Sequence, residues 1–217
     1  MEQQWTPEWI EDGTDDEDTG SDREERPNNR RRLLIGTAVA AVLTCGVSGA
    51  FFGPLGWRIM QQKDASLNAP AKIGDLALDE SPSAKEAADD LRTAFAAPID
   101  FESTVGAVYK DPADQARRVM VLAGTAIFLR PERELDNQFE QFENMAGTGR
   151  VTDVKPVPAG KLGGVMKCGT TSIDGTPMAV CGWADHGSIA VTLFPARSAA
   201  DSAKLMPSIR EAVQHRK

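Results

Sequence analysis

The sequence predicts an α+β domain carried on one transmembrane helix, and three observations support this prediction. A run without charged residues covers residues 33–53. Residues 163–195 contain several strand-like segments separated by tight-turn signals, which indicates an antiparallel sheet. Amphipathic periodicity indicates about three helices around that sheet. The predicted division is an acidic tail over 1–29, a basic stop and span over 30–54, a tether over 55–80 and the domain over 81–217.

The N-terminal tail is acidic and lacks a core. Residues 1–32 carry eleven acidic residues and five arginines, so −6 of the net charge of −8 lies there. Because almost no aliphatic residue lies between Ile10 and Leu33, we expect the tail to be disordered. A calcium loop aligned on Gly20 fails, since Arg26 stands where a bidentate glutamate is required. The acidic balance also argues against a nucleic-acid partner.

The apolar run has the length of a membrane span. Its twenty-one residues would form a helix of about 32 Å, close to the hydrocarbon thickness of about 30 Å. Arg30, Arg31 and Arg32 precede it directly. This positive cluster predicts a cytoplasmic N-terminus and an extracytoplasmic C-terminal domain at the cell membrane. A cleaved signal peptide is the alternative, although thirty-two preceding residues are many for its basic region.

The lipid bilayer is the first partner that the sequence predicts, and the span itself suggests a second. Gly36 with Ala40, and Gly46 with Ala50, place small residues four positions apart on helical faces. Such spacing lets two helices approach closely, so a homodimer through the transmembrane helix is a further hypothesis. Cys45 lies in the middle of this span, out of reach of the other two cysteines.

Those two cysteines are predicted to form a disulfide. The dipeptide D-G at 174–175 is a type I′ turn signal between strand-like runs. In the register that this turn sets, Cys168 lies directly opposite Cys181. An extracytoplasmic location favours their oxidation, and closing the loop contributes roughly 3 kcal/mol. The two histidines supply no second ligand pair for zinc, and the chain has no C-x-x-C motif.

A second hairpin is predicted directly after the first. The sequence D-H-G at 185–187 predicts a three-residue loop with its glycine in the left-handed conformation. This register places Trp183 opposite Ile189 and Cys181 opposite Val191. The core face expected beside the disulfide consists of Trp183, Ile189, Val191 and Leu193.

The remaining elements follow from periodicity and from helix-start residues. Helices are predicted at 83–97, 132–146 and 198–213, and strands at 103–109, 117–129, 151–155 and 163–172. Ser83 with Glu86 is the predicted cap of the first helix. Residues 158–164, "PAGKLGG", resemble a phosphate loop, but Leu162 replaces the required Ser or Thr, so we expect an ordinary loop.

The sequence contains no recognised catalytic motif. The predicted function is a non-catalytic binding or sensing module for an unknown protein or envelope ligand, without metal or cofactor. The alternative is a small membrane-tethered hydrolase in which Asp153, Asp174 and Asp185 meet in a cleft. "D-H-G-S" at 185–188 holds the residue types of a catalytic triad, but four neighbours in one turn point apart. A pocket lined by two of these acids would favour the enzyme, and an exposed apolar patch would favour the binding module.

The layout resembles that of single-pass membrane proteins of high-GC actinobacteria such as streptomycetes. The shared features are an acidic tail, the R-R-R stop, one span and a small secreted domain. The stretch "VCGWADHGSIAV" at 180–191, with a cysteine two residues before a tryptophan, is similar to extracytoplasmic sensor domains of actinobacterial receptor kinases. The kinase domain and the second cysteine pair of those receptors are missing here. The resemblance therefore implies a compartment and little else, and it implies no reaction.

Overall fold

The structure, a computed structural model, describes residues 53, 55–144 and 149–216. The helices are α1 (residues 55–62), α2 (Pro82–Ala96), α3 (Pro131–Glu143) and α4 (Ala199–Val213). The strands are β1 (Ala65–Leu67), β2 (Lys72–Ile73), β3 (Leu76–Leu78), β4 (Ser103–Asp111), β5 (Asp114–Thr125), β6 (Thr152–Pro156), β7 (Val165–Ile173), β8 (Thr176–Ala184), β9 (Ser188–Pro195) and β10 (Gln214–Arg216). The α+β class is confirmed for the domain, with one helix, α1, beyond the three that were expected.

Eight strands form one antiparallel sheet in the order β2-β3-β4-β5-β9-β8-β7-β6. Helix α4 packs on one face, against β7 and β8. Helices α2 and α3 pack on the other face, α2 against β4 and β5 and α3 against β8 and β9. Strands β1 and β10 pair with each other in a separate two-stranded ribbon. Three layers result, with the sheet in the middle.

The central strands are buried on both faces. In β8, Cys181 and Trp183 belong to the core under α4, whereas Val180 and Ala184 belong to the core under α2 and α3. Every residue of β8 from Met178 onward is buried. A strand covered on both faces becomes an almost continuous apolar run, which hides the alternation that marks a half-buried strand.

The structure confirms the predicted first hairpin and its disulfide. Ile173 pairs with Thr176 across the turn, and Cys168 pairs with Cys181 as expected. The two cysteines are bonded, with their Cα atoms 4.0 Å apart. Both lie in the core under α4, so the disulfide joins the middle of two buried strands.

The second hairpin is formed, but its predicted register was wrong by one residue. Trp183 pairs with Ala190 and not with Ile189, because the turn contains two residues and not three. The Asp185 N–H donates to the Ser188 carbonyl at 2.9 Å, which closes this shorter turn. A shift of one residue moves a strand's side chains to the opposite face. Only Trp183 therefore shares the disulfide's face, and the three residues expected beside it line the opposite core: Ile189, Val191 and Leu193.

Much of the predicted tether over 55–80 belongs to the folded domain. Strand β3 pairs with β4 and places β2 at the edge of the main sheet. Ile73 and Leu76, one in each of these short strands, are both buried. Strands of two or three residues are too short to show a period, which is why the sequence pattern did not reveal them.

Helix α2 begins without the predicted cap. Its N-cap is Ser81, whose side chain makes no capping hydrogen bond. The Ser81 N–H instead donates to the Asp79 carboxylate at 3.0 Å, and Lys110 lies 2.9 Å from the same oxygen. Hydrogen bonds from Lys110 and Ser81 lower the pKa of Asp79 to about 2. This aspartate therefore joins the start of α2 to strand β4 as a carboxylate.

The predicted membrane features lie almost entirely outside the described residues. These include the tail, Arg30 to Arg32, the span up to residue 52 and the small residues proposed for a dimer. In the part of the chain that the structure describes, no helix is long and apolar enough to cross a bilayer.

Candidate binding cleft

Asp185 is the centre of a buried polar network at one end of the sheet, in the turn between β8 and β9. Its side chain is fully buried. One carboxylate oxygen accepts hydrogen bonds from the N–H groups of Gly187 and Ser188, each at 2.8 Å, and from the Ser188 hydroxyl at 3.2 Å. Aspartate favours such turns because its side chain reaches the backbone two residues further on. This local bonding holds the β8–β9 turn in its two-residue form.

The second oxygen of Asp185 binds side chains from the C-terminal segment. It accepts from Arg210 at 2.8 Å, from Gln214 at 2.6 Å and from Arg216 at 3.0 Å. Arg210 lies in the last turn of α4 and Gln214 directly follows this helix, so the end of α4 brings both side chains to Asp185. With six donors around two oxygens, the carboxylate is saturated and has no lone pair left for a substrate.

Arg210 connects this network to the neighbouring loop. Its guanidinium donates to the carbonyl oxygens of Ala159 at 3.0 Å and Gly163 at 2.7 Å, and it lies 5.9 Å from the ring centroid of Trp183. Burial lowers the pKa of Arg210, and the Asp185 carboxylate opposes that shift. One carboxylate thus faces two guanidinium groups, those of Arg210 and Arg216, which leaves the network with an excess positive charge.

His186 brings two further segments to the same end of the domain. Its Nδ1 lies 2.7 Å from the carbonyl oxygen of Phe128, in the segment between β5 and α3. Its backbone N–H donates to the Gln62 side chain of α1 at 3.0 Å. The next residue, Gly187, lies so close to the backbone of Gln62 that a Cβ there would overlap the Gln62 carbonyl. Helix α1 is therefore packed against the β8–β9 turn.

A polar cleft of about 540 Å³ opens among these segments. This volume lies within the range of roughly 300–1,000 Å³ that is typical of ligand sites. Residues on its lining include Arg58, Gln62, Glu132, Lys161, His186 and Arg216. Below, "the cleft" refers to this site.

The charges on the cleft wall are mainly positive. Arg58 and Lys161 are both exposed, and neither makes an ion pair or a side-chain hydrogen bond with any residue that the structure describes. Arg216 is only partly neutralised, because it shares Asp185 with Arg210. The one acidic residue of the lining, Glu132, lies 3.1 Å from Lys167, which it shares with Asp136. The cleft therefore favours an anionic group.

The three aspartates considered for catalysis do not meet. Asp174 lies in the exposed turn before β8, and Asp185 follows the other end of this nine-residue strand. Asp153 is exposed on the edge strand β6. Within residues 53, 55–144 and 149–216, no three His, Cys, Asp or Glu side chains are grouped as a metal site would require.

Asp185 and His186 lie in a turn, as predicted, but the sequence pattern did not reveal the partners of Asp185. From the sequence, the positive charge of Arg210 in the last turn of a helix is expected to stabilise the helix C-terminus. This role requires no buried carboxylate. The available signal was the pair Arg210 and Gln214, two polar residues four apart at the end of a helix whose buried residues include Met206, Ile209 and Val213. The predicted loop over 158–164 is confirmed, and it forms one wall of the cleft.

No protein-family model and no curated protein shows a significant match to the chain. Its function is therefore argued from the geometry of the cleft.

Proposed function

We propose that the chain is a single-pass membrane protein whose extracytoplasmic domain is a non-catalytic binding module for an anionic group. The ligand group is a phosphate or a carboxylate, and the cleft is its site. The observation that carries this proposal is the excess of positive charge there: Arg58, Lys161 and Arg216 face a single acid, Glu132, which shares Lys167 with Asp136.

Binding is favoured over catalysis by the state of the buried carboxylate. Asp185 is the one acid of the network beneath the cleft, and six hydrogen bonds occupy its oxygens. A general base needs a free lone pair within reach of the proton that it removes. Asp185 instead holds the cleft walls together, because its donors come from the β8–β9 turn and from the C-terminal segment.

The membrane anchor is proposed from the sequence. The uncharged run over 33–53 follows three arginines and ends shortly before α1. The orientation is tested with a reporter that is active only in the cytoplasm, fused after Lys217. We expect no activity from this fusion and full activity from a fusion before Met1. Activity at the C-terminal position would refute the proposed topology.

Binding is tested with inorganic phosphate and the full chain in a neutral detergent. A ligand at ten times its Kd stabilises the folded state by about 1.4 kcal/mol. For a domain of this size, that raises Tm by roughly 3–6 °C. We expect such a rise in phosphate relative to chloride at equal ionic strength, and we expect the double variant Arg58→Gln/Lys161→Gln to lose most of it.

Phosphate also stabilises proteins in general by exclusion from their surface, so a matched control is needed. The double variant Lys72→Gln/Arg118→Gln removes two exposed positive charges from β2 and β5, outside the cleft lining. It should keep the full rise in Tm. Equal rises in the two double variants would contradict an anion site in the cleft.

A further inference from the structure

Exposed apolar side chains gather at the end of the domain that carries the cleft. In the described part of the chain, six large apolar residues are exposed. Three of them, Leu55, Trp57 and Met60, lie on α1, and two, Ile127 and Leu129, lie between β5 and α3. The sixth, Val154, lies on the edge strand β6. Five of the six thus lie on the two segments that flank His186, and we refer to these five as the apolar end.

The exposure of Ile127 and Leu129 follows from the way their segment is held. Phe128, between them, is buried in the core under α2 and α3. Its N–H donates to the His186 carbonyl at 3.1 Å, and its own carbonyl contacts the His186 ring. With Phe128 turned into the core, the side chains on either side of it are left at the surface. Ile127 is 59% exposed and Leu129 is 68% exposed.

We propose that the apolar end lies against the surface of the lipid bilayer, with Ile127 and Leu129 inserted at the boundary between headgroups and acyl chains. This inference rests on the proposed membrane anchor. The apolar run over 33–53 ends shortly before α1, so the chain enters the domain at this end. Trp57 on α1 is the residue type that concentrates at membrane interfaces.

The charges beside the apolar end fit the same partner. Arg58, Arg130 and Lys161 are exposed next to these side chains or on the adjoining cleft wall. Apolar side chains combined with positive charges are the usual means of binding to anionic lipid surfaces. In this orientation the cleft faces the headgroups, and the anionic group that it binds is the phosphate of a phospholipid.

Quenching by brominated lipid tests this contact in the full chain, reconstituted in anionic phospholipid vesicles. The background chain carries Phe in place of Trp5, Trp9 and Trp57 and keeps Trp183, which is fully buried. Leu129→Trp reports on the apolar end, and Ile127→Trp serves as a second reporter. Val154→Trp is the matched control, since it replaces an exposed apolar residue away from that end.

We expect brominated acyl chains to remove roughly half of the emission added by Leu129→Trp or Ile127→Trp, because interfacial apolar groups lie about 5–10 Å into the boundary. Emission added by Val154→Trp should not change. If brominated lipid changes the emission of all three variants equally, or changes none of them, in protein that floats with the vesicles, the lipid contact is wrong and the anchor is intact.

Two other outcomes are separable from this one. If the reporters are shielded from aqueous iodide but not quenched by bromine, a second copy of the chain covers the apolar end and the lipid proposal is wrong. If the chain does not float with the vesicles, the anchor itself fails, and with it the function proposed above.

Discussion

The substitution Asp185→Asn tests whether the buried network holds the domain together. Asparagine has almost the same shape and keeps one oxygen that can accept from the turn N–H groups. It removes the negative charge opposite Arg210, whose side chain is only 1% exposed. Removing one partner of a buried ion pair typically costs about 3–5 kcal/mol, because the remaining charge has no compensation. Arg216, at 22% exposed, can still reach solvent, so we assign this cost mainly to Arg210.

Urea unfolding of the full chain in a mild detergent measures the effect. Near-ultraviolet circular dichroism is a suitable signal, because Trp183 is buried beside Arg210 and loses its fixed environment on unfolding. The control is Asp64→Asn, which removes an ion pair with Lys63 in which both side chains are exposed. Exposed pairs contribute about 0–1 kcal/mol, so this control should unfold close to the wild type.

A double substitution separates the charge from the shape of the side chain. Replacing buried ion pairs with apolar residues is often neutral in stability. Asp185→Asn with Arg210→Met should therefore be more stable than Asp185→Asn alone, although the carbonyls of Ala159 and Gly163 lose their donor. If Asp185→Asn lies within about 1 kcal/mol of the wild type, or if Arg210→Met worsens it, the account of an uncompensated charge is wrong.

Three further outcomes are expected. Replacing both Cys168 and Cys181 with Ala should lower the free energy of unfolding by roughly 3 kcal/mol, measured in urea, and an unchanged midpoint would contradict the loop-closure argument. The pKa of Asp79 is about 2 in the folded state and about 3.9 when unfolded, so its contribution is complete above pH 4 and lost as the pH falls towards 2. Urea midpoints at pH 5 and pH 2.5 should therefore differ less in Asp79→Asn than in the wild type, and equal differences would refute this. Gly187→Ala should cost about 1–3 kcal/mol through overlap with Gln62, and a thermal midpoint equal to that of the wild type would show that α1 moves away freely.

The first hairpin was predictable because its information is local. The D-G turn at 174–175 sets the pairing of nine residues on each side, and Cys168 meets Cys181 as a result. The second hairpin depends on distant residues. Its two-residue turn is held by Asp185, and Asp185 is held in turn by Arg210, which lies 25 residues away in sequence. Since β9 is apolar on both faces, alternation could not reveal which register was right.

The cleft was not predictable for the same reason. Its cations come from α1, from the 158–164 loop and from the C-terminal segment, and only tertiary packing brings Arg58, Lys161 and Arg216 together. From the sequence alone, each of them is expected to be an ordinary surface charge. The exposure of Ile127 and Leu129 was equally hidden, because it results from the burial of Phe128 between them.

The ribbon of β1 and β10 has a mechanical consequence. Ala65 pairs with Arg216, and Leu67 pairs with Gln214, so the segment that follows α1 lies beside the C-terminal segment. Tension applied between the two ends of the domain would act on the contact of α1 with the β8–β9 turn and would separate the ribbon pairs one after another. Gln214 and Arg216 would leave Asp185 as the ribbon opened. A pull on the domain would thus disturb the hydrogen bonds of the buried carboxylate beneath the cleft and couple the cleft to mechanical load.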